Sequence, residues 1–200
     1  MQNVVAIGGS IAAGKTTLLG QIATRCAERG LRCKVMHELA CETLHKSIGD
    51  ALPWADAVYF AHRAQMLIDA PEVAKNYDLV LIERIVLDHL AFIDAFEACG
   101  IGLPEQNART RAMASELDLP KVGTYVYLDL PPEKGLLRKE SRGYGHDGAF
   151  DLNFYTAHRK AYLDRIHADY ANPLILDWTD FGGNAPVDTL IDELLARSAR

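Results

Sequence analysis

Gly9-Ser10-Ile11-Ala12-Ala13-Gly14-Lys15-Thr16, followed by Thr17, has the spacing G-x-x-x-x-G-K-T. Such a glycine-rich turn points successive backbone N–H groups into a concavity that fits phosphate oxygens. It follows Val4-Val5-Ala6-Ile7, an apolar run that reads as a buried strand. It opens a stretch from about Lys15 to Arg29 that carries Leu18, Leu19, Ile22, Ala23 and Cys26 on one helical face. The positive end of that helix adds to the attraction for phosphate. Lys15 is then placed to reach the β- and γ-phosphates of a nucleoside triphosphate, and the Thr16 hydroxyl to ligate Mg²⁺. ATP and Mg²⁺ are the expected cofactors, held by Gly9 to Thr17.

Phosphate binding does not say what is done with the phosphate. Glu83 ends the apolar run Leu79-Val80-Leu81-Ile82, where a carboxylate can hold the water shell of Mg²⁺; the blander reading is a solvated strand-end charge. Arg84 beside it can bridge donor and acceptor phosphates. Arg142-Gly143-Tyr144-Gly145-His146-Asp147-Gly148 has three glycines and no apolar face, and Arg138 precedes it. A lid over about 138–150 would close two guanidinium groups on a transferring phosphoryl and neutralise its charge. Lysine, two kinds of arginine and an acid together point to a kinase rather than a water-using NTPase.

The elements that must position these residues alternate strand and helix. Strands are expected at Val4–Ile7, Cys33–His37, Leu79–Ile82, Thr124–Leu128 and Leu174–Leu176. Between them, helices are predicted from Pro53 to about Ala70 (stopping before Pro71), Ile85 to Cys99, Glu105 to Leu117, Pro132 to about Ser141, Phe154 to Tyr170 and Val187 to Arg197. This pattern implies a three-layer α/β fold with a five-stranded parallel sheet, in one domain spanning 1–200. The chain has 200 residues, enough for one such core, and its net charge of −6 with interleaved signs argues against a wide nucleic-acid surface. Cys26, Cys33, Cys41 and Cys99 show no metal-ligand spacing and read as reduced thiols, and the seven histidines show no ligand pattern, with His146 in the lid the one to watch. No run is apolar enough to span a bilayer and the N-terminus enters a strand directly, so a cytoplasmic protein without a membrane partner is expected.

From Asn3 to about Asp177 the chain resembles the deoxynucleoside kinase and thymidylate kinase group of P-loop kinases. Ile11-Ala12-Ala13-Gly14-Lys15 is similar to the deoxynucleoside kinase phosphate loop, and Glu83-Arg84 followed by Asp88 to its Glu-Arg-Ser…Asp motif, with Ile85 in place of Ser. The resemblance implies that Glu38, just after the second strand, is the base that takes the proton of a sugar 5′-hydroxyl. It makes Glu83 a metal and sugar contact, Arg84 a phosphate clamp and Asp88 a base or sugar contact. Phe60-Ala61-His62-Arg63-Ala64-Gln65, by contrast, is similar to a thymidylate kinase helix whose Arg contacts the nucleotide acceptor; Phe154-Tyr155…Tyr162-Leu163 also resembles that branch, and Tyr127 to Glu133 resembles a stretch common to both.

The departures favour the alcohol acceptor. Thymidylate kinases carry Asp-Gly inside the phosphate loop and Glu-Pro-Gly-Gly after the second strand; here Ser10-Ile11-Ala12-Ala13 and Glu38-Leu39-Ala40-Cys41 stand there. An acceptor phosphate is already ionised and needs no base, whereas a primary alcohol does. The lid also departs from the deoxynucleoside kinases, with Arg142-Gly143-Tyr144 where Arg-Gly-Arg is usual. Trp54, Tyr59 and Gln65 are the candidates for base reading, with Trp54 and Tyr59 equally explicable as core. The leading expectation is ATP-dependent phosphorylation of a deoxynucleoside 5′-hydroxyl. The rival is a thymidylate-type nucleoside monophosphate kinase using Arg63, and a third reading is a kinase of hydroxymethylated bases in phage DNA, the only one with a DNA partner. The second and third predicted helices are apolar enough for a homodimer face or for intramolecular core.

Overall fold

Alternation along β1 (Val4–Gly9) sorts its side chains to two sides: Val4 and Ala6 enter one apolar cluster, Val5 and Ile7 another. The same split recurs at β3 (Leu79–Glu83) and β4 (Thr124–Asp129), where Val80, Ile82, Tyr125 and Tyr127 face the first cluster and Leu79, Leu81, Val126 and Leu128 the second. Strands buried on both faces belong in the middle of a parallel sheet covered by helices. The computed structural model describes residues 1–39, 52–102, 104–141, 150–179 and 187–199, with the backbone alone for 52–55.

With β2 (Cys33–Met36) and β5 (Leu174–Asp177) the strands form one sheet in the order β2-β3-β1-β4-β5, every pairing parallel. Seven helices lie among the described residues: α1 (Lys15–Glu28), α2 (Leu52–Ala74), α3 (Val86–Ala98), α4 (Pro104–Glu116), α5 (Pro132–Ser141), α6 (Leu152–Asp169) and α7 (Val187–Ser198). Phe60, Ala64, Leu67 and Ala70 of α2, Ala91 of α3 and Tyr162 and Ile166 of α6 cover the first face; Leu18, Leu19 and Ile22 of α1 and Ile191 and Leu194 of α7 cover the second. The three-layer α/β expectation holds, and these apolar residues of α2 and α3 are used within the core.

Most element ends fall within one or two residues of those predicted. α2 is the exception: it runs through Pro71 to Ala74 instead of stopping before the proline. A proline removes one N–H bond and crowds the carbonyl a turn back. Here that cost falls in the last turn, while buried Met66, Leu67 and Ala70 anchor the turn before it. Glycines do end α1 and α3 as expected, Gly30 at φ 71° and Gly100 at φ 68°.

The carboxyl ends of β1 and β3 lie side by side, Ile7 opposite Glu83, and the phosphate loop leaves the sheet there. Outside the carboxyl ends of parallel strands is where open α/β sheets bind ligands. Close packing beneath this point needs a glycine: a Cβ on Gly8 would stand 1.9 Å from Tyr125 Oη and 2.8 Å from Asp88 Oδ1.

Candidate active site

The phosphate loop is held from both sides. Ala13 is fully buried in the cluster under α1, and Ile11 packs against the cluster of Ala95, Phe154 and Tyr155. Gly9 (φ 151°) and Gly14 (φ 94°) take left-handed backbone, and a Cβ on Gly9 would meet Leu128 at 3.1 Å. Ala12 is also left-handed, at φ 60°. A non-glycine residue there costs about 1–3 kcal/mol and persists only where the surroundings enforce it. Lys15 folds over the loop, donating to the Gly9 carbonyl at 3.2 Å and the Ser10 carbonyl at 2.9 Å. Burial and then the Arg84 charge lower its pKa to about 7. Thr16 and Thr17 are exposed, open to an incoming ligand.

Thr16 Oγ1 donates to Glu83 Oε1 at 2.5 Å, so the two expected metal ligands meet. Both are oxygen donors, the type Mg²⁺ prefers, and a P-loop Mg²⁺ takes its remaining ligands from phosphates and water. Among the described residues no group of three or more His, Cys, Asp or Glu could hold a metal ion by itself. The pair therefore fits a Mg²⁺ that arrives with the nucleotide. His37 Nδ1 lies 2.9 Å from the other Glu83 oxygen, a contact that residue spacing along the chain does not reveal.

Glu38 stands among cations. Arg63 Nε donates to its Oε1 at 3.1 Å and Arg63 Nη2 donates to the same oxygen, while Arg84 Nε lies 3.4 Å from Oε2. Burial would raise the Glu38 pKa, but Arg84 and then Arg63 outweigh it and hold the carboxyl at about 2. Arg84 is the second non-glycine residue in left-handed backbone, at φ 62°, directly after β3. That turn sends its buried guanidinium toward Glu38 and over the Phe92 ring, 4.9 Å from the centroid. His158 also packs on Phe92, ring centroids 4.1 Å apart, fully buried and with neither ring nitrogen hydrogen-bonded. Burial keeps His158 neutral, far below the ordinary imidazole range.

Asp88 occupies a different position from the one its motif suggests. It is fully buried; Oδ2 accepts from the Ile85 N–H at 2.8 Å and Oδ1 from the Tyr162 hydroxyl at 2.7 Å. Both oxygens are thus engaged in capping α3 and tying it to α6, where Ile85 has no hydroxyl to make the cap itself. Asp88→Ala is expected to lower stability by about 2–3 kcal/mol, from the lost cap and the orphaned donors. A denaturant melt measures this; a raised acceptor KM with unchanged stability would instead assign Asp88 to the substrate.

The structure thus gathers Lys15, Thr16, Glu38, Arg63, Glu83 and Arg84 at the sheet's carboxyl edge. Arg138 stands in the last turn of α5 with Nη2 3.4 Å from the Thr179 carbonyl, which also accepts from Lys134 at 3.0 Å. Tyr59 lies under the Arg63 guanidinium, 5.5 Å from the ring centroid. Gln65 is exposed and bonds Asp69 on its own helix, which turns it away from base reading. Arg142 and the lid glycines, His146 and Asp147 lie outside the described residues, as does Cys41; Trp54 is described by its backbone only. No helix among the described residues is long and apolar enough to cross a membrane.

No family model matches the chain. A thymidylate kinase of Deinococcus radiodurans is 29% identical over 203 residues, which cover 96% of this chain and 94% of that protein. A deoxyadenosine kinase of M. mycoides, solved with the products dCMP and a flexible dCDP, superposes with a TM-score of 0.73 at 15% identity, over 96% of this chain and 99% of that one. The same enzyme with bound dATP gives 0.72 at 14% identity, over 95% and 98%. The chain has the P-loop kinase fold of these structures and is similar in sequence to a thymidylate kinase. Within this kinase fold Glu38 and Arg63 are bonded to each other.

Proposed function

We propose that the protein is an ATP- and Mg²⁺-dependent kinase that transfers the γ-phosphoryl group to the 5′-hydroxyl of a deoxynucleoside. The observation that carries this reading is the Glu38–Arg63 ion pair inside the cation cluster. A carboxylate fixed by Arg63 repels an acceptor phosphate and suits a neutral alcohol, whose hydroxyl it orients by charge. It can receive the hydroxyl proton once Lys15 and Arg84 turn to the phosphates and its pKa rises from about 2. Arg63, occupied by Glu38 and His89, has little left for an acceptor phosphate.

In the proposed mechanism Lys15 leaves the Gly9 and Ser10 carbonyls for the β- and γ-phosphates, and Arg84 follows the developing charge. Thr16 and Glu83 would hold Mg²⁺, which would neutralise charge on the transferring phosphates. Glu38 Oε2 accepts a hydrogen bond from the 5′-hydroxyl and aims its oxygen. As the new O–P bond forms and the bond from the γ-phosphorus to the departing diphosphate breaks, the hydroxyl proton passes to Glu38. Arg138 and Arg142 are assigned to the transition state from the lid side, and α2 with Trp54 and Tyr59 to the acceptor.

The thymidylate kinase relative favours a second reading, phosphorylation of a nucleoside monophosphate with Arg63 on its phosphate. The M. mycoides enzyme, which has dCMP as a product, favours the first. Steady-state rates with thymidine, deoxyadenosine, deoxycytidine and their monophosphates, under saturating MgATP, decide between them. Turnover of nucleosides at least tenfold faster is expected. Preference for the monophosphates would overturn the proposal, as would turnover only on duplex DNA carrying a hydroxymethylated base.

A further inference from the structure

Behind the ion pair runs a chain of buried polar groups that reaches a third helix. Arg63 is 5% exposed, and its Nη1 lies 2.8 Å from His89 Nδ1. A guanidinium only donates, so Nδ1 must carry the lone pair and Nε2 the hydrogen. Nε2 lies 3.0 Å from Asp56 Oδ1, a close charge contact rather than an aligned hydrogen bond, with the carboxylate facing that hydrogen. The other Asp56 oxygen is 3.4 Å from Gln106 Nε2 and 3.5 Å from the Thr110 hydroxyl, so α4 backs the chain. His89 is 3% exposed, and the Phe60 ring meets it edge-on at 5.6 Å. The sequence Asp56–His89–Arg63–Glu38 thus spans α2, α3 and the segment after β2, with its two middle members buried and its two carboxylates half-buried at the ends.

The direction of the Arg63 bonds has a consequence for the carboxylate. Arg63 uses Nη1 on His89, which rotates its plane so that Nε and Nη2 both meet Glu38 Oε1. Among the described residues, Oε2 is left with the longer Arg84 contact. A guanidinium free to turn about its last bonds would share both oxygens or swing into the phosphate site. Fixing it from behind leaves one defined oxygen facing the reaction, and catalytic geometry of this kind is lost with displacements of about 1 Å.

We propose that Asp56 and His89 are positioning residues that, through Arg63, hold Glu38 by Oε1 and leave Oε2 as the atom that meets the acceptor hydroxyl. This rests on the reading of Glu38 as the base for an alcohol. A neutral imidazole in this tautomer is required: a hydrogen on Nδ1 would face the Arg63 charge and break the link. Asparagine at position 89 offers a carbonyl acceptor near the place of Nδ1, whereas phenylalanine offers the volume and no acceptor. Asn at 56 keeps the shape but removes the charge that fixes the tautomer.

The test is steady-state kinetics on the full chain with the nucleoside that the acceptor screen selects, for His89→Phe, His89→Asn, Asp56→Asn and Glu38→Gln, each checked for native circular dichroism and a cooperative melt. His89→Phe is expected to lower kcat about 10–100-fold with the KM for MgATP within twofold of wild type, and His89→Asn to recover most of that loss. Asp56→Asn should fall between the two. A His89→Phe enzyme that folds and turns over at the wild-type rate, while Glu38→Gln is inactive, overturns the relay and leaves the base assignment standing. Equal losses in His89→Phe and His89→Asn also overturn it, because the acceptor atom would then be irrelevant. Should His89→Phe not fold, the Asp56→Asn rate decides in the same way. Glu38→Gln with near wild-type turnover overturns both the base assignment and the relay built on it.

Discussion

Glu38→Gln is expected to bind MgATP and to turn over about 10²–10⁴-fold more slowly than wild type. The amide is the same size and can still accept a hydrogen bond from Arg63, but it cannot take a proton or align a hydroxyl by charge. The same substitution should lower stability. Glu38 is 19% exposed, and its pKa falls from an ordinary 4.5 to about 2 in the folded chain. A carboxyl whose pKa is depressed by folding contributes stability that is complete above its unfolded value and is lost as the pH falls through the folded one. For this group the loss is about 3 kcal/mol, between roughly pH 5 and pH 2. Wild-type protein should therefore show an acid limb in denaturant melts that Glu38→Gln lacks, the variant being the less stable at pH 7. Saturating nucleotide should narrow the gap, because phosphate charge replaces the missing carboxylate beside Arg84 and Lys15. Unchanged turnover in the variant would remove Glu38 from the chemistry, whatever its effect on stability.

Lys15→Met should move activity and apo stability in opposite directions. Removing the cation that meets the β- and γ-phosphates is expected to lower kcat/KM about 10²–10³-fold. In the empty site the same ammonium is a burden, since burial and Arg84 lower its pKa from 10.5 to about 7. The unfolded chain then binds the extra proton throughout that interval. Lysine therefore penalises the fold most below pH 7, and the penalty fades as the pH rises toward its unfolded value. The variant, carrying no such charge, should be more stable than wild type at pH 7 by about 0.5–2 kcal/mol, a gain that shrinks by pH 10. Nucleotide binding to wild type should take up a proton at pH 8, visible as a buffer-dependent heat in calorimetry, and this uptake should be absent from the variant. A destabilised Lys15→Met would mean that the hydrogen bonds to the Gly9 and Ser10 carbonyls outweigh the cost of the charge.

The two predictions draw on unlike parts of the molecule. The phosphate loop is a local object: turn, lysine and hydroxyl are consecutive, and the strand before and helix after them follow from apolar period alone. Its residues, the parallel sheet and the helix ends at Gly30 and Gly100 could be read directly, because each depends on neighbours within a few positions. Pro71 is not legible in this way, because buried residues of the preceding turn, supplied by packing, outweigh a local helix breaker.

What the tertiary structure decided is which charges meet. Glu38 and Arg63 are 25 residues apart, Arg63 and His89 26, and Thr16 and Glu83 67. No periodicity in the chain encodes such separations. They arise because β1 and β3 pair in one register and α2 and α3 pack on one face, bringing their ends to the same edge. Arg63 stood in the sequence as a contact for an acceptor phosphate, and the fold gives it a carboxylate on one side and a histidine on the other. Asp88 stood as a contact for substrate, and burial beneath Gly8 gives it a helix to cap. The order of residues fixed the phosphate loop because its chemistry is made by adjacent backbone; long-range packing decided the partners of its acids and arginines, because charge pairs form between side chains that only folding makes neighbours.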